Sequence, residues 1–157
     1  MRVLNKENTF MMLDFFANLI HPLVDTYLIV LTTLELICGR NLVLKNKKLI
    51  KELHVTIKRL YQLRIIPALQ SSLKEVIETA IERFEQMGFI EIRAYMTKKG
   101  STTLFLQCAA ESKPKIHDLW KKLRLHRSTT REQENTVYAQ VEETILRTQG
   151  PLQMARL

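Results

Sequence analysis

Glycine is scarce in this chain, and its distribution excludes the sites that depend on it. The four glycines lie at positions 39, 88, 100 and 150, each far from the others. A phosphate-binding loop needs several glycines within one turn, and a nucleophile elbow needs a glycine on both sides of its serine. The sequence therefore predicts neither a nucleotide-binding loop nor an activated serine.

Cysteine and histidine are equally few. Cys38 and Cys108 are too few for a disulfide framework, and no Cys/His cluster has the spacing of a zinc site. We therefore predict a reducing compartment, no metal and no cofactor. A catalytic histidine needs a partner that orients it. His21 lies four residues before Asp25, but helical pairs at this spacing are more often structural, so we predict no catalytic residue. The remaining histidines are His54, His117 and His126.

The composition is that of one folded, basic domain. With 157 residues, 46% of them hydrophobic, the chain is long enough for a single core. The net charge is +8, and residues 41–70 hold seven Lys and Arg against one acidic residue. This excess is consistent with an anionic partner such as nucleic acid or a lipid surface.

The most apolar segment spans 9–38 and is predicted to form one long helix or two. Asn8 or Thr9 would cap its start, and Gly39 would stop it. Pro22 removes a backbone donor, so we expect a kink or break just before it. Within this segment the acidic residues interrupt the apolar sequence, so the longest run without a charged residue is ten residues. A membrane span needs about 20 mostly apolar residues, so a buried helix is favoured.

Two amphipathic helices are predicted in the middle of the chain. The first spans 47–63, after the cap residue Asn46, and keeps its lysines away from an apolar stripe. The second spans 72–88 and opens with a capping box, in which Ser72 and Glu75 would satisfy two backbone amides.

The last third combines strands and helices. Residues 89–108 alternate apolar and polar side chains around a turn and predict a β-hairpin. Ser112 would cap a helix through Leu125, and Thr129 would begin a last helix that ends at Gly150. The predicted fold class is mainly α, a bundle of five to six helices with one β-hairpin, winged-helix-like in the middle.

A winged-helix nucleic-acid module is therefore an alternative function. Lys98 and Lys99 would occupy the tip of the wing. The helix that would enter the DNA groove carries four glutamates against Lys74 and Arg83, so its polar side would repel phosphates. Nucleic acid is thus disfavoured as a partner. The four glutamates are Glu75, Glu78, Glu82 and Glu85.

Inside the apolar helix, Pro22-Leu-Val-Asp25-Thr-Tyr27 resembles a pattern of one enzyme family. Pro-apolar-apolar-Asp-x-Tyr occurs in the C-terminal region of glycerol-3-phosphate and dihydroxyacetone-phosphate acyltransferases. The likeness continues over roughly 10–125, through the Lys-rich helix, the helix ending in Met-Gly-Phe-Ile and the basic hairpin. It implies part of an O-acyltransferase of phospholipid or ether-lipid synthesis, whose complete form would use acyl-CoA as co-substrate.

The catalytic motif of that family is missing. Its members are expected to use His-x4-Asp, and no histidine of this chain has an aspartate five residues later; His21 and Asp25 are one residue too close. The resemblance therefore implies the region after the catalytic domain, inactive alone, as a fragment, a truncated product or a stand-alone descendant. The implied domains are a tail over 1–8, a helical family domain over 9–125, and a C-terminal helix and tail over 126–157.

The last three residues add an expected location. Ala155, Arg156 and Leu157 resemble the small-basic-leucine tripeptide that addresses proteins to peroxisomes. This favours the dihydroxyacetone-phosphate branch, which is peroxisomal. We expect a peroxisomal, membrane-associated protein with an import receptor as a partner; a cytoplasmic or mitochondrial-membrane location is the alternative.

The resemblance implies two interaction surfaces. The apolar helix would pack on the acyltransferase catalytic domain, in cis or in trans, and on the membrane surface, while the basic helix would meet anionic headgroups. The predicted packing residues are Phe15, Phe16, Leu19, Leu23, Tyr27 and Leu31. The predicted anionic-surface residues are Lys47, Lys48, Lys51, Lys58 and Arg59.

Overall fold

The computed structural model describes residues 2–125 and 130–150, with side-chain surroundings from Thr9 onward except at Asn18. These residues form five α-helices and three strands, so the predicted mainly-α class is confirmed. A short 3₁₀ turn, Leu69–Ser72, precedes the third helix. The elements are α1 Arg2–Gly39, β1 Val43–Lys45, α2 Asn46–Gln62, α3 Lys74–Gln86, β2 Ile90–Met96, β3 Thr102–Cys108, α4 Lys113–Leu125 and α5 Arg131–Gln149.

The small sheet contains one strand more than the predicted hairpin. β3 lies in the middle, antiparallel to β1 and to β2, with Val43 opposite Gln107 and Ile90 opposite Cys108. The sequence did not predict β1, because three residues are too few to show an alternating pattern. With α2 and α3 between β1 and β2 in sequence, the middle of the chain has the element order of a winged helix.

The core forms around the second half of α1. Nearly all residues of α1 from Asp25 to Cys38 are buried, because α3, α4 and α5 pack on this stretch. Three of the other helices, α2, α3 and α5, each bury one stripe at helical spacing, as predicted, whereas α4 fully buries only Ile116. The buried stripe residues are Leu49, Leu53, Ile57 and Leu60 of α2, Ile77, Ala80, Ile81 and Phe84 of α3, and Val141 and Ile145 of α5.

α1 is a single helix that starts earlier and continues further than predicted. It begins at Arg2, so Asn8 and Thr9 are not caps, and it runs through Pro22 without interruption. The carbonyl oxygen of Pro22 accepts hydrogen bonds from Thr26 Oγ1 at 3.0 Å and from Ser71 Oγ at 2.9 Å. The Ser71 bond attaches the helix at its proline to the 3₁₀ turn. Because the helix is continuous through Pro22, the predicted break is wrong.

Two predicted caps are also wrong. α2 begins at Asn46 itself, after Lys45, with no side-chain cap. α3 begins at Lys74, again without a side-chain cap, because Ser72 Oγ donates to the carbonyl of Leu69 at 2.7 Å. Serine hydroxyls readily bond to nearby carbonyls, and this local turn competes with the capping box.

The cap of α5 lies one residue after the predicted cap. Thr129 lies outside the described residues, and Thr130 forms the capping box. The Gln133 amide donates to Thr130 Oγ1 at 3.2 Å, and the Thr130 amide donates to Gln133 Oε1 at 3.1 Å. Further along, Arg147 joins α5 to α2, since its Nε lies 2.9 Å from Glu52 Oε2. α5 is thereby held to the same core as the other helices.

The two cysteines form a disulfide bond. Cys38, at the end of α1, and Cys108, at the end of β3, have Cα atoms 5.0 Å apart. The pair is 70 residues apart in sequence, so only the packing of α1 against the sheet reveals it. The low number of cysteines therefore no longer supports a reducing compartment.

Candidate functional site

The first half of α1 is apolar and exposed. Nine large hydrophobic side chains between positions 10 and 23 are 45% to 70% exposed. Single exposed hydrophobic residues are ordinary, but a continuous group of this size marks an interaction surface. We call residues 10–23 the N-terminal apolar segment. Its exposed hydrophobic members are Phe10, Met11, Met12, Leu13, Phe15, Phe16, Leu19, Ile20 and Leu23.

The six predicted packing residues divide between this segment and the core. Four of them, Phe15, Phe16, Leu19 and Leu23, belong to the exposed segment. Leu31 is completely buried, and Tyr27 is half-buried with its ring centroid 5.6 Å from that of Phe84. Leu31 is therefore not available to an external packing face, whereas a packing role for the half-buried Tyr27 stays a prediction.

By length and composition alone, one helix of the described chain could cross a membrane, Thr9–Gly39. However, 61% of its most apolar stretch is buried inside the fold. Burial from Asp25 onward agrees with the predicted core helix, whereas exposure over 10–23 does not. The helix therefore has two halves with different surroundings.

Two of the described histidines, His54 and His117, have structural contacts. His54 Nδ1 lies 2.5 Å from the carbonyl oxygen of Ser72, which joins α2 to the 3₁₀ turn. His117 Nδ1 lies 2.6 Å from Glu35 Oε1, and this contact joins α4 to α1. The ring of His117 also stacks on Trp120 of the same helix. Among the described residues no three His, Cys, Asp or Glu side chains are grouped to hold a metal.

The predicted His21 and Asp25 pair occupies two environments. His21 is exposed, whereas Asp25 is buried with 5% of its surface accessible. His126 lies outside the described residues, as do the predicted targeting residues Ala155, Arg156 and Leu157.

The five predicted basic residues do not form one face. Arg59 Nη1 lies 3.4 Å from Glu143 Oε2, so α5 supplies its counter-charge. Lys58 borders a separate depression near the start of α3. The other three line a groove between α2, α3 and β3; they are Lys47, Lys48 and Lys51.

The groove also contains residues that the sequence did not single out. Lys45 and Lys74 line it, together with Asn46, Thr102 and Thr103, and its volume is about 680 Å³. Lys45 and Lys74 lie next to predicted helix starts, and no sequence pattern distinguishes them from the other lysines. The threonines come beside them only because β1 pairs with β3.

A second, smaller cavity lies between α1, α4 and α5. It measures about 170 Å³ and is bordered by Leu28, Trp120 and Tyr138. Burial raises the pKa of Tyr138, and the carboxylates of Glu35 and Glu142 raise it further. Trp120 Nε1 donates to Thr32 Oγ1 at 3.0 Å, so the polar groups here serve helix packing.

Comparison with known proteins gives the chain a family. A model of the glycerol-3-phosphate acyltransferase C-terminal region matches residues 2–93. No curated protein and no solved structure matches. The matched segment covers more than half of the chain, from the N-terminal apolar segment through α3 into β2. The chain belongs to the family of glycerol-3-phosphate acyltransferase C-terminal regions.

Proposed function

We propose that this chain is a non-catalytic C-terminal portion of a glycerol-3-phosphate or dihydroxyacetone-phosphate O-acyltransferase that packs on the catalytic domain through its N-terminal apolar segment. The observation that carries the proposal is the exposure of nine large hydrophobic side chains in continuity with a packed core. Burying such a surface against another domain releases its water and stabilises the contact.

A cleft at the junction between the N-terminal apolar segment and the buried half of α1 could receive this partner. A cleft of about 320 Å³ opens there, bordered by Leu19, Pro22 and Leu23 of α1 and by Leu73 and Val76 near the start of α3. Thr26 Oγ1 lies 2.8 Å from the carbonyl oxygen of Ser71, which holds α1 against the 3₁₀ turn at this point. This bond therefore fixes the direction in which α1 leaves the core.

The basic groove residues would meet the membrane in the same assembly. Lysines attract anionic lipid headgroups, and α2 is matched by the family model over its whole length. The catalytic domain would thus contact the apolar segment, while α2 faces the lipid surface.

A co-purification experiment tests the packing. The Phe15→Ser/Leu19→Ser variant is expected to lose at least ten-fold of its retention on a tagged family catalytic domain, because both side chains are exposed in the segment. Tyr95→Ser/Met96→Ser is the matched control, since these side chains are similarly exposed on β2. Equal retention of all variants contradicts the proposal, as does acyl transfer to glycerol 3-phosphate or dihydroxyacetone phosphate by the purified chain.

The finer assignment, to the peroxisomal dihydroxyacetone-phosphate branch, rests on the C-terminal tripeptide. A fluorescent protein fused before residue 1 of the full chain is expected to colocalise with a peroxisomal marker. Deleting Leu157 should disperse this signal, because the leucine is part of the address. An unchanged distribution without Leu157 contradicts the peroxisomal assignment and leaves the packing proposal standing.

A further inference from the structure

The groove beside α2 concentrates positive charge. Five lysines line it, against the single carboxylate of Glu78, whose Oε1 lies 3.4 Å from Lys74 Nζ. Among the described residues the other four lysines have no carboxylate within ion-pair distance. Like charges in one groove repel each other, so an anion that binds there lowers the electrostatic energy of the lysines. The five lysines are Lys45, Lys47, Lys48, Lys51 and Lys74.

The start of α2 adds to this excess. Helix starts favour acidic residues and side-chain caps, because the first backbone N–H groups are unpaired and carry partial positive charge. The first turn of α2 has neither an acidic residue nor a side-chain cap, and it holds Lys47 and Lys48. Within the described residues, neither the first turn of α2 nor its cap therefore supplies a negative group where one would stabilise the helix.

One buried polar atom in the groove lacks a partner. Within the described part of the chain, Asn46 Oδ1 is inaccessible to solvent and has no hydrogen bond. An unsatisfied buried acceptor costs about 1–3 kcal/mol, and Asn46 Oδ1 would accept a hydrogen bond from a ligand hydroxyl only after its side chain turns toward the groove. Thr102 and Thr103 of β3 also line the groove, and a threonine hydroxyl can donate a hydrogen bond.

We propose that this groove binds a phosphate monoester, either a lipid headgroup or a soluble metabolite. A monoester carries about two negative charges and three acceptor oxygens, which suits the lysines that line the groove from β1, α2 and α3; the ammonium of Lys48 lies beside Gly150 at the end of α5. The volume of about 680 Å³ accommodates the phosphate with the polar part of its ester. Extended nucleic acid fits less well, because α3 carries further glutamates beyond the groove, Glu75, Glu82 and Glu85, which repel a long polyanion.

A phosphate monoester would be the ligand class of the proposed membrane-facing surface. Its binding rests on the groove and not on packing against the catalytic domain. Failure of phosphate binding would therefore leave the co-purification result untouched, and the reverse also holds.

The test titrates inorganic phosphate into the ¹⁵N-labelled full chain and follows backbone amide resonances. Saturable shifts are expected around Asn46 and Thr103. The Lys45→Gln/Lys47→Gln/Lys51→Gln variant should bind at least ten-fold more weakly. Lys58→Gln/Lys98→Gln/Lys99→Gln is the matched control, because it removes the same charge from exposed lysines outside the groove.

Two vesicle preparations then identify the source of the phosphate. Preferential flotation with phosphatidylcholine vesicles containing phosphatidic acid, over vesicles of equal charge containing phosphatidylglycerol, assigns the groove to a lipid monoester. Saturable phosphate binding without this preference assigns it to a soluble ester. Equal weakening by both triple variants, absence of saturable shifts, or binding of a DNA duplex without binding of phosphate overturns the proposal.

Discussion

Replacing Leu31 with alanine is expected to lower the free energy of unfolding by about 3 kcal/mol, because the lost methyl groups leave a cavity that close-packed neighbours cannot fill. Leu31 is completely buried in the second half of α1. Leu19, on the same helix, is 55% exposed. Its replacement by alanine should change stability by no more than about 0.5 kcal/mol.

Urea unfolding monitored by circular dichroism measures both changes. The pair is informative because composition and apolar pattern assign both leucines to one surface, whereas the structure separates them. Similar losses for Leu31→Ala and Leu19→Ala would mean that the N-terminal apolar segment is packed within the isolated chain. The surface available to a partner would then be absent.

The second large effect is expected from the disulfide. Replacing Cys38 and Cys108 together with alanine should lower the free energy of unfolding by about 4 kcal/mol, because the bond restricts the unfolded chain over 70 residues. The closed loop contains β1, α2, α3, β2 and all of β3 up to Cys108. Alanine suits the buried Cys38 site better than serine, whose hydroxyl would need a partner.

Thermal unfolding with and without dithiothreitol provides the control. The wild-type protein should lose stability on reduction, and the double-alanine variant should be insensitive to the reductant. A wild-type melting temperature that reduction leaves unchanged would show that the bond is absent or that it contributes nothing. A mass difference of two hydrogens between oxidised and reduced protein checks the bond independently.

Elements with a strong period were predictable from the sequence. The stripes of α2, α3 and α5 appear as spacings of three and four residues, and burial of such a stripe stabilises a helix wherever its ends lie. The hairpin over 89–108 was predictable for the same reason, with period two. Helix starts were not, because Ser72 bonds to a nearby carbonyl instead of capping α3.

The candidate surfaces were predicted less completely. Lys47, Lys48 and Lys51 were identified by charge alone, but Lys58 and Arg59 have the same charge and lie elsewhere. A sequence shows which residues are basic and on which helix they lie. Whether they share a groove depends on the neighbouring elements.

By itself, the sequence determined the mainly-α class, the main helices and hairpin, the likeness to the acyltransferase C-terminal region and the lack of its catalytic motif, because these depend on residue types and spacings along the chain. Only the tertiary structure decided where α1 leaves the core, that Cys38 meets Cys108, and which lysines share a groove. These features arise from contacts between residues far apart in sequence, and a local pattern contains no information about such contacts.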